Sequence, residues 1–197
     1  MIENEVIKAI LGRRSIRSYR TELVPEEMVK TVLTAGQYAP SGSNSQSWRF
    51  TAIVNSAKID ALNVKLKACF AKITYPEDEY PAKLNTVRNS TNEKYHFCYH
   101  APVLIIVSNV AGYTNAMADS AAAIENMLLA AHSLGLACCW INQLTWLAEV
   151  DEMREYLNRE YGVPLNHKVC GSLAIGFTDK KLPKALPRKE GAAKIIS

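Results

Sequence analysis

Val6, Ile7, Ile10 and Leu11 recur at the spacing of one helical face, and Gly12 ends the pattern just before the basic run from Arg13 to Tyr19. A second helical pattern covers Val24 to Tyr38. Pro25 stands at its first helical position, Glu26 and Glu27 in its first turn, and Met28, Val29, Val32, Leu33 and Gly36 share one face. Pro40 closes it. Small polar residues fill Ala39 to Gln46, and the pattern then changes to the strand-like run Trp48 to Val54. Ser56 to Ala71 predicts a further helix. Tyr75 to His100, rich in charges and aromatics without a regular period, predicts an irregular or partly helical excursion.

Ala101 to Val107 is a short, β-branched apolar run, as expected of a central strand buried on both faces. From about Thr114 to Leu134 the chain reads as a helix apolar on several faces and ended by Gly135. One small sheet cannot cover that much apolar surface, so this helix is expected to pack on a second subunit as well, in a homodimer. Leu136 to Ile141 predicts a short strand, Leu147 to Tyr156 a helix, and Lys168 to Ile175 a strand closed by Gly176. A Lys- and Pro-rich tail without a core of its own follows. A few strands embedded among many helices place the chain in the α+β class.

The 197 residues suit a single domain spanning 1–197, with neither repeats nor a linker inside it. A hydrophobic fraction of 48% with 21% charged residues excludes disorder and fibrous architectures but selects no chemistry. The net charge is +4, and the basic residues gather only around Arg13 to Arg20 and in the tail from Lys180 to Lys194. That is too dispersed for a nucleic-acid face, yet two such segments can converge on one small anion. The long apolar stretch Ala116 to Leu136 contains Asp119, Glu125, Asn126 and His132. Each charge at mid-bilayer would cost about 2.5–3.5 kcal/mol, which makes the stretch a buried helix rather than a membrane span. Five irregularly spaced cysteines fit reduced, buried thiols, and His96, His100, His132 and His167 lack ligand spacing, so no metal is expected. Glu3 and Glu5 precede any apolar run, the wrong order of charges for a secretory signal, and the cytoplasm is the expected location.

Two segments could carry chemistry. In an extended loop, Arg13, Ser15 and Arg17 would project to one side and present guanidinium forks and a hydroxyl to a phosphate. The amides of Asn44 and Gln46 can match the alternating carbonyl and N–H edge of a planar heterocycle, and Gly42 would let the backbone approach it. Taken alone, a solvated basic loop and an ordinary turn account for the same residues.

Taken together with GLACCWI after the Ala-rich helix, the motifs RRSIRSY and APSGSNSQSW give the chain a resemblance to the FMN-dependent nitroreductase family. The resemblance runs in order from the first arginines through GSLAIGF to the LPRK of the tail and is weakest between Leu66 and Tyr99. It implies a central, mainly antiparallel sheet surrounded by helices, an intertwined homodimer with a tail (about 177–197) reaching onto the partner, and FMN at the interface. It also implies a ping-pong exchange from NADH or NADPH to a small-molecule electron acceptor such as a nitroaromatic or quinone. No protein side chain is expected to be catalytic, because the flavin carries the chemistry. Arg13, Arg14, Ser15 and Arg17 match the residues that hold the FMN phosphate and ring edge, with Arg188 and Lys189 adding to them from the tail. Pro40, Ser41, Ser43 and Asn44 match the partner subunit's share, Gln46 joining them as ligand or brace. Trp140, Ile141, Asn142 and Gln143 match the segment that passes the ring. Two positions depart from the family pattern: Ser47 replaces a common proline, which should matter little, and Gln143 stands where glycine is frequent. A flavin-storing or redox-sensing module with little turnover is the alternative.

Overall fold

The apolar run after Pro102 becomes β2 (Val103–Val110), and its alternation sets the architecture. Val103, Ile105 and Val107 face one helical layer, while Leu104 and Ile106 face the other, so a strand without polar positions in its first half is buried on both sides. The structure is a computed structural model and describes residues 2–196. β1 (Arg49–Ile53), β2, β3 (Ala137–Ile141) and β4 (His167–Gly176) form one antiparallel sheet in the order β1-β2-β4-β3, which leaves β2 and β4 central.

On one face lie α2 (Glu26–Gln37) and α5 (Ala116–Ser133), which pack through Val29, Val32, Ile124, Met127 and Leu128. The other face is covered by α3 (Ser56–Phe70), α6 (Gln143–Trp146) and α7 (Asp151–Tyr161), with Leu62, Leu66, Phe70, Leu144 and Leu157 in the core. Close approach of α5 to the sheet requires Gly171 of β4. A Cβ there would stand 2.5 Å from Ile124 Cδ1 and 2.9 Å from Trp140 Nε1. Next to it the ladder slips: Val107 pairs with Gly171 but Ser108 pairs with Val169, leaving Cys170 as the extra residue of a bulge.

Pro25 sits just outside α2 as its cap, one residue earlier than the expected first helical position. Within the irregular excursion α4 (Pro81–Arg88) forms, with Pro81 in its first turn. The helix expected over Leu147 to Tyr156 is displaced: α6 precedes it, and α7 begins only at Asp151, whose acidic first turn and left-handed Gly162 end-cap define it. Leu147 looked helical because it is fully buried, but it is buried in the turn between the two helices.

α1 (Glu5–Gly12) is capped by Asn4 Oδ1, which accepts the Ile7 N–H at 2.9 Å. Among the described residues, none of α1 is buried, and Val6, Ile10 and Leu11 stay about half exposed or more. The outward face of α5, with Met117, Ala118, Ala121 and Ala122, is apolar and only partly covered. After Phe177 the tail runs extended over the surface, with Leu182 and Leu186 exposed.

Candidate functional site

The C-cap of α1 delivers the basic run into a short extended segment. There Ser15 bridges to Cys138 of β3 and the Ile16 N–H donates to the Cys138 carbonyl at 3.0 Å. This anchoring spreads Arg13, Arg14, Ser15 and Arg17 along one wall of a cleft of about 390 Å³, whose opposite wall is Pro183, Lys184, Ala185, Leu186 and Arg188 of the tail. Two basic segments from opposite ends of the chain thus meet around one cavity.

The arginines do different work. Arg13 Nε is buried 3.4 Å from Glu125 Oε1, near enough for an ion pair but without hydrogen-bond geometry, so this donor is left unpartnered. A buried guanidinium donor beside the cleft fits a phosphate. Arg14 instead spends its fork on backbone: Nη1 donates to the carbonyls of Leu11 and Arg13, both at 2.7 Å, and Nε to that of Pro183 at 3.1 Å. It ties the tail to the basic segment. Arg17 lies 6.0 Å from the centroid of the Tyr99 ring and holds its proton more firmly than usual, chiefly through Cys139 and then Tyr99 and Tyr19. Burial pushes the Cys139 thiol up, opposed by Arg17 and by a hydrogen bond with Ser15. Arg188 is exposed and among the described residues donates only to the Leu186 carbonyl, at 3.2 Å. Lys189 is exposed and does not line the cleft.

The other two groups of expected site residues do not line this cleft. Trp140 and Ile141 belong to β3, Asn142 caps α6 and Gln143 begins it. Ile141 is buried in the core, which leaves only its backbone for contact with a ligand. Gln143 Nε2 donates to Tyr95 Oη at 3.2 Å, so its amide is tied to the excursion before β2. Pro40 to Gln46 line no part of the cleft. Gly42 packs against Asn115 and Tyr113 at the N-terminal end of α5, whereas Gly12, beside Arg13, packs against His132 near its C-terminal end. With 18 residues, α5 is about 27 Å long. Gln46 braces the loop, its Nε2 donating to Asn44 Oδ1 at 2.9 Å and its N–H to Ser41 Oγ at 3.1 Å. Ser47 is engaged as well: its hydroxyl donates to Asn109 Oδ1 at 2.8 Å. Ser47→Ala is expected to cost about 1 kcal/mol, a melting-temperature drop of about 2–4 °C in a thermal scan.

Spacing alone gave no reason to join Tyr99, Cys139, Pro183 and Lys184 to the site. Their signal lies in long-range pairing of β3 and the tail with the basic run.

Asp60, His96 and His100 bring ligand atoms within 4.8 Å of one another. His96 Nδ1 accepts the His100 N–H at 3.3 Å, which puts the ring proton on Nε2, 3.2 Å from Asp60 Oδ1. The ring therefore has no free lone pair to offer a cation. Burial, reinforced by His100 and opposed by Asp60, lowers the His96 pKa to about 4. The unfolded chain takes up this proton first, so stability is full above pH ~6.5 and falls towards pH ~4, by about 3 kcal/mol for this group. Urea melts at pH 7.5 and 4.5 should show that loss, and His96→Gln should flatten it.

The family model described as the nitroreductase family matches residues 10–177. The chain belongs to the nitroreductase family. A putative NADH dehydrogenase/NAD(P)H nitroreductase of Methanothermobacter thermautotrophicus is 29% identical over 81% of this chain and 70% of its own length. The nitrobenzene nitroreductase of Ectopseudomonas oleovorans is 26% identical over 89% and 87%. A nitroreductase from Bacteroides fragilis, solved with bound FMN, superposes with a TM-score of 0.89 at 42% identity, covering 99% of this chain and all of that one. Nitroreductase architecture, four antiparallel strands between helical layers, is what the structure has. Among the described residues of this nitroreductase, no helix is long and apolar enough to cross a membrane.

Proposed function

We propose that this protein is a homodimeric oxidoreductase that binds FMN and passes a hydride from NADH or NADPH to nitroaromatic, quinone or similar electron-poor acceptors in a ping-pong cycle. The observation that carries the reading is the cleft in which Arg13, Ser15, Arg17 and Arg188 converge from both ends of the chain. FMN, when bound, supplies the carrier that takes up two electrons from the nicotinamide and releases them to the acceptor. The protein's share is placement. Arg13, Ser15 and Arg188 hold the phosphate, Arg17 sets positive charge at the ring edge, and the backbone of Trp140 to Gln143 passes the ring. Arg14 keeps the tail closed over the cleft through Pro183.

Support for the dimer comes from α5. An antiparallel pairing of α5 with its copy across a two-fold axis sets the N-terminal end of one helix beside the C-terminal end of the other. The loop of one chain, Pro40 to Gln46, then reaches the cleft of its partner, which its own 27-Å helix prevents it from reaching in the same chain. The same pairing would cover the alanine-rich face of α5 and the open side of α1, and would give the tail a surface to lie on. The FMN-bound Bacteroides fragilis structure and the names nitrobenzene nitroreductase and FMN reductase (NADPH), the latter from Bacillus subtilis, support the cofactor, the acceptor class and the donor. Five free, buried cysteines suit a reducing cytoplasm.

Anaerobic stopped-flow absorbance tests the reading. Bleaching of the FMN-loaded protein by NADH or NADPH, reversed by a nitroaromatic or quinone, is expected. Bound flavin that neither nucleotide bleaches would instead assign the protein to flavin storage or redox sensing.

A further inference from the structure

The loop Pro40 to Gln46 is both exposed and strained. Ser43, Asn44 and Gln46 have φ of 51°, 55° and 47°, in a left-handed region that Asn tolerates but Ser and Gln adopt uncommonly. Ser43, Asn44 and Gln46 are exposed; Gln46 braces Asn44 and Ser41 within the loop, and a second hold comes from beneath, through Gly42 and Ser45. Asp119 of α5 is buried, and its two carboxylate oxygens accept the Gly42 N–H, each at 3.2 Å. Oδ2 also accepts the hydroxyl of Tyr113 at 3.1 Å and stands 3.5 Å from Ser45 Oγ. Tyr113 Oη lies 3.3 Å from the Gly42 carbonyl and 3.1 Å from Ser45 Oγ. There is no room to reach this carboxylate through a side chain at position 42, where a Cβ would stand 2.3 Å from Asn115 Nδ2 and 2.8 Å from Tyr113 Oη.

We propose that Asp119 and Tyr113 are positioning residues that act across the dimer interface. By clamping Gly42 and Ser45 they hold Ser41, Ser43 and Asn44 in the one loop conformation that completes the partner subunit's FMN site. The inference rests on the proposed FMN dimer. Its physical content is that a buried charge in one chain is used to shape a pocket in the other. An unclamped loop would relax its three left-handed residues and have to be reordered at each binding event, which weakens binding without removing any residue that touches the ligand.

Complementation between subunits tests it. Asp119→Asn is expected to raise the FMN dissociation constant about tenfold, read by quenching of flavin fluorescence, and Tyr113→Phe about threefold, while both still sediment as dimers. The decisive preparation is a heterodimer of one Arg13→Ala chain and one Asp119→Asn chain, isolated through two different tags. Action in trans puts both substitutions in one site and leaves the other intact, so half of the sites should bind FMN with wild-type affinity. Joining both substitutions in one chain opposite a wild-type chain should leave no intact site. Wild-type affinity in the Asp119→Asn and Tyr113→Phe homodimers, or no intact site in the first heterodimer, overturns the proposal. Failure of the wild-type chain to bind FMN, or its sedimentation as a monomer, overturns the reading beneath it and this inference together. Tyr113→Phe keeps the test open should Asp119→Asn fail to fold, because it removes only a half-buried hydroxyl.

Discussion

Arg13→Ala should weaken FMN binding by about ten- to a hundredfold, or 1.4–2.7 kcal/mol, the cost of one lost charge-assisted contact. The expectation rests on how Arg13 is held in this chain. Its backbone N–H caps α1 by donating to the Ala9 carbonyl at 2.9 Å, a contact alanine keeps. The side chain is three-quarters buried, and among the described residues its Nε lacks a hydrogen-bond partner. Only Glu125 loses a counter-ion, and at 45% side-chain exposure it can be solvated, so the melting temperature of the flavin-free protein should change little. Isothermal titration with FMN, paired with a thermal scan of the apoprotein, separates the two quantities. Arg13→Lys should fall between wild type and alanine, because it keeps the charge and loses the fork. Equal affinity in all three proteins would remove the phosphate from this wall of the cleft.

Gly171→Ala should be the most destabilising single methyl in the sheet. Its Cβ would stand 2.5 Å from the terminal carbon of Ile124, which is fully buried between α5 and the sheet, and 2.9 Å from the Trp140 indole nitrogen. Ile124 is fully buried and the Trp140 indole is a rigid ring, so neither has free space to give way into, and overpacking should cost about 2–3 kcal/mol, a fall of about 4–12 °C in melting temperature. Shortening the obstacle should relieve it: Ile124→Val combined with Gly171→Ala is expected to melt above the single Gly171→Ala variant, a coupling that independent sites would not show. Chemical denaturation of the four proteins of the cycle measures it.

Strands were the most legible part of the fold because alternation is a local property. Val103 to Val107 shows its double burial in its composition alone, and the Ala-rich α5 likewise shows its length. The boundary near Leu147 was not legible: a buried leucine in a turn has the same apolar character as one in a helix. Arg13, Ser15, Arg17 and Arg188 could be picked out by type and motif, and the cleft does gather them. Arg14 could not be told from Arg13 in the sequence, since the difference lies in where the carbonyl of Pro183 returns, 169 residues away. The same holds for Asp119. An acid inside an apolar helix was visible, but its partner, a backbone N–H 77 residues earlier, is supplied only by the fold.

The extra residue at Cys170 puts β4 out of phase with itself. Beyond it, odd-numbered Gly171, Leu173 and Ile175 point toward α5; before it, odd-numbered Val169 points the opposite way, into the layer of α3 and α7. The strand thus obeys two opposite parity rules joined at one position. Deleting Cys170 would restore a single rule with Val169 still opposite Ser108; forcing it instead into a regular ladder would shift the register by one and turn the N-terminal half of β4 inside out, presenting Val169 to α5 and withdrawing His167 from Ser108.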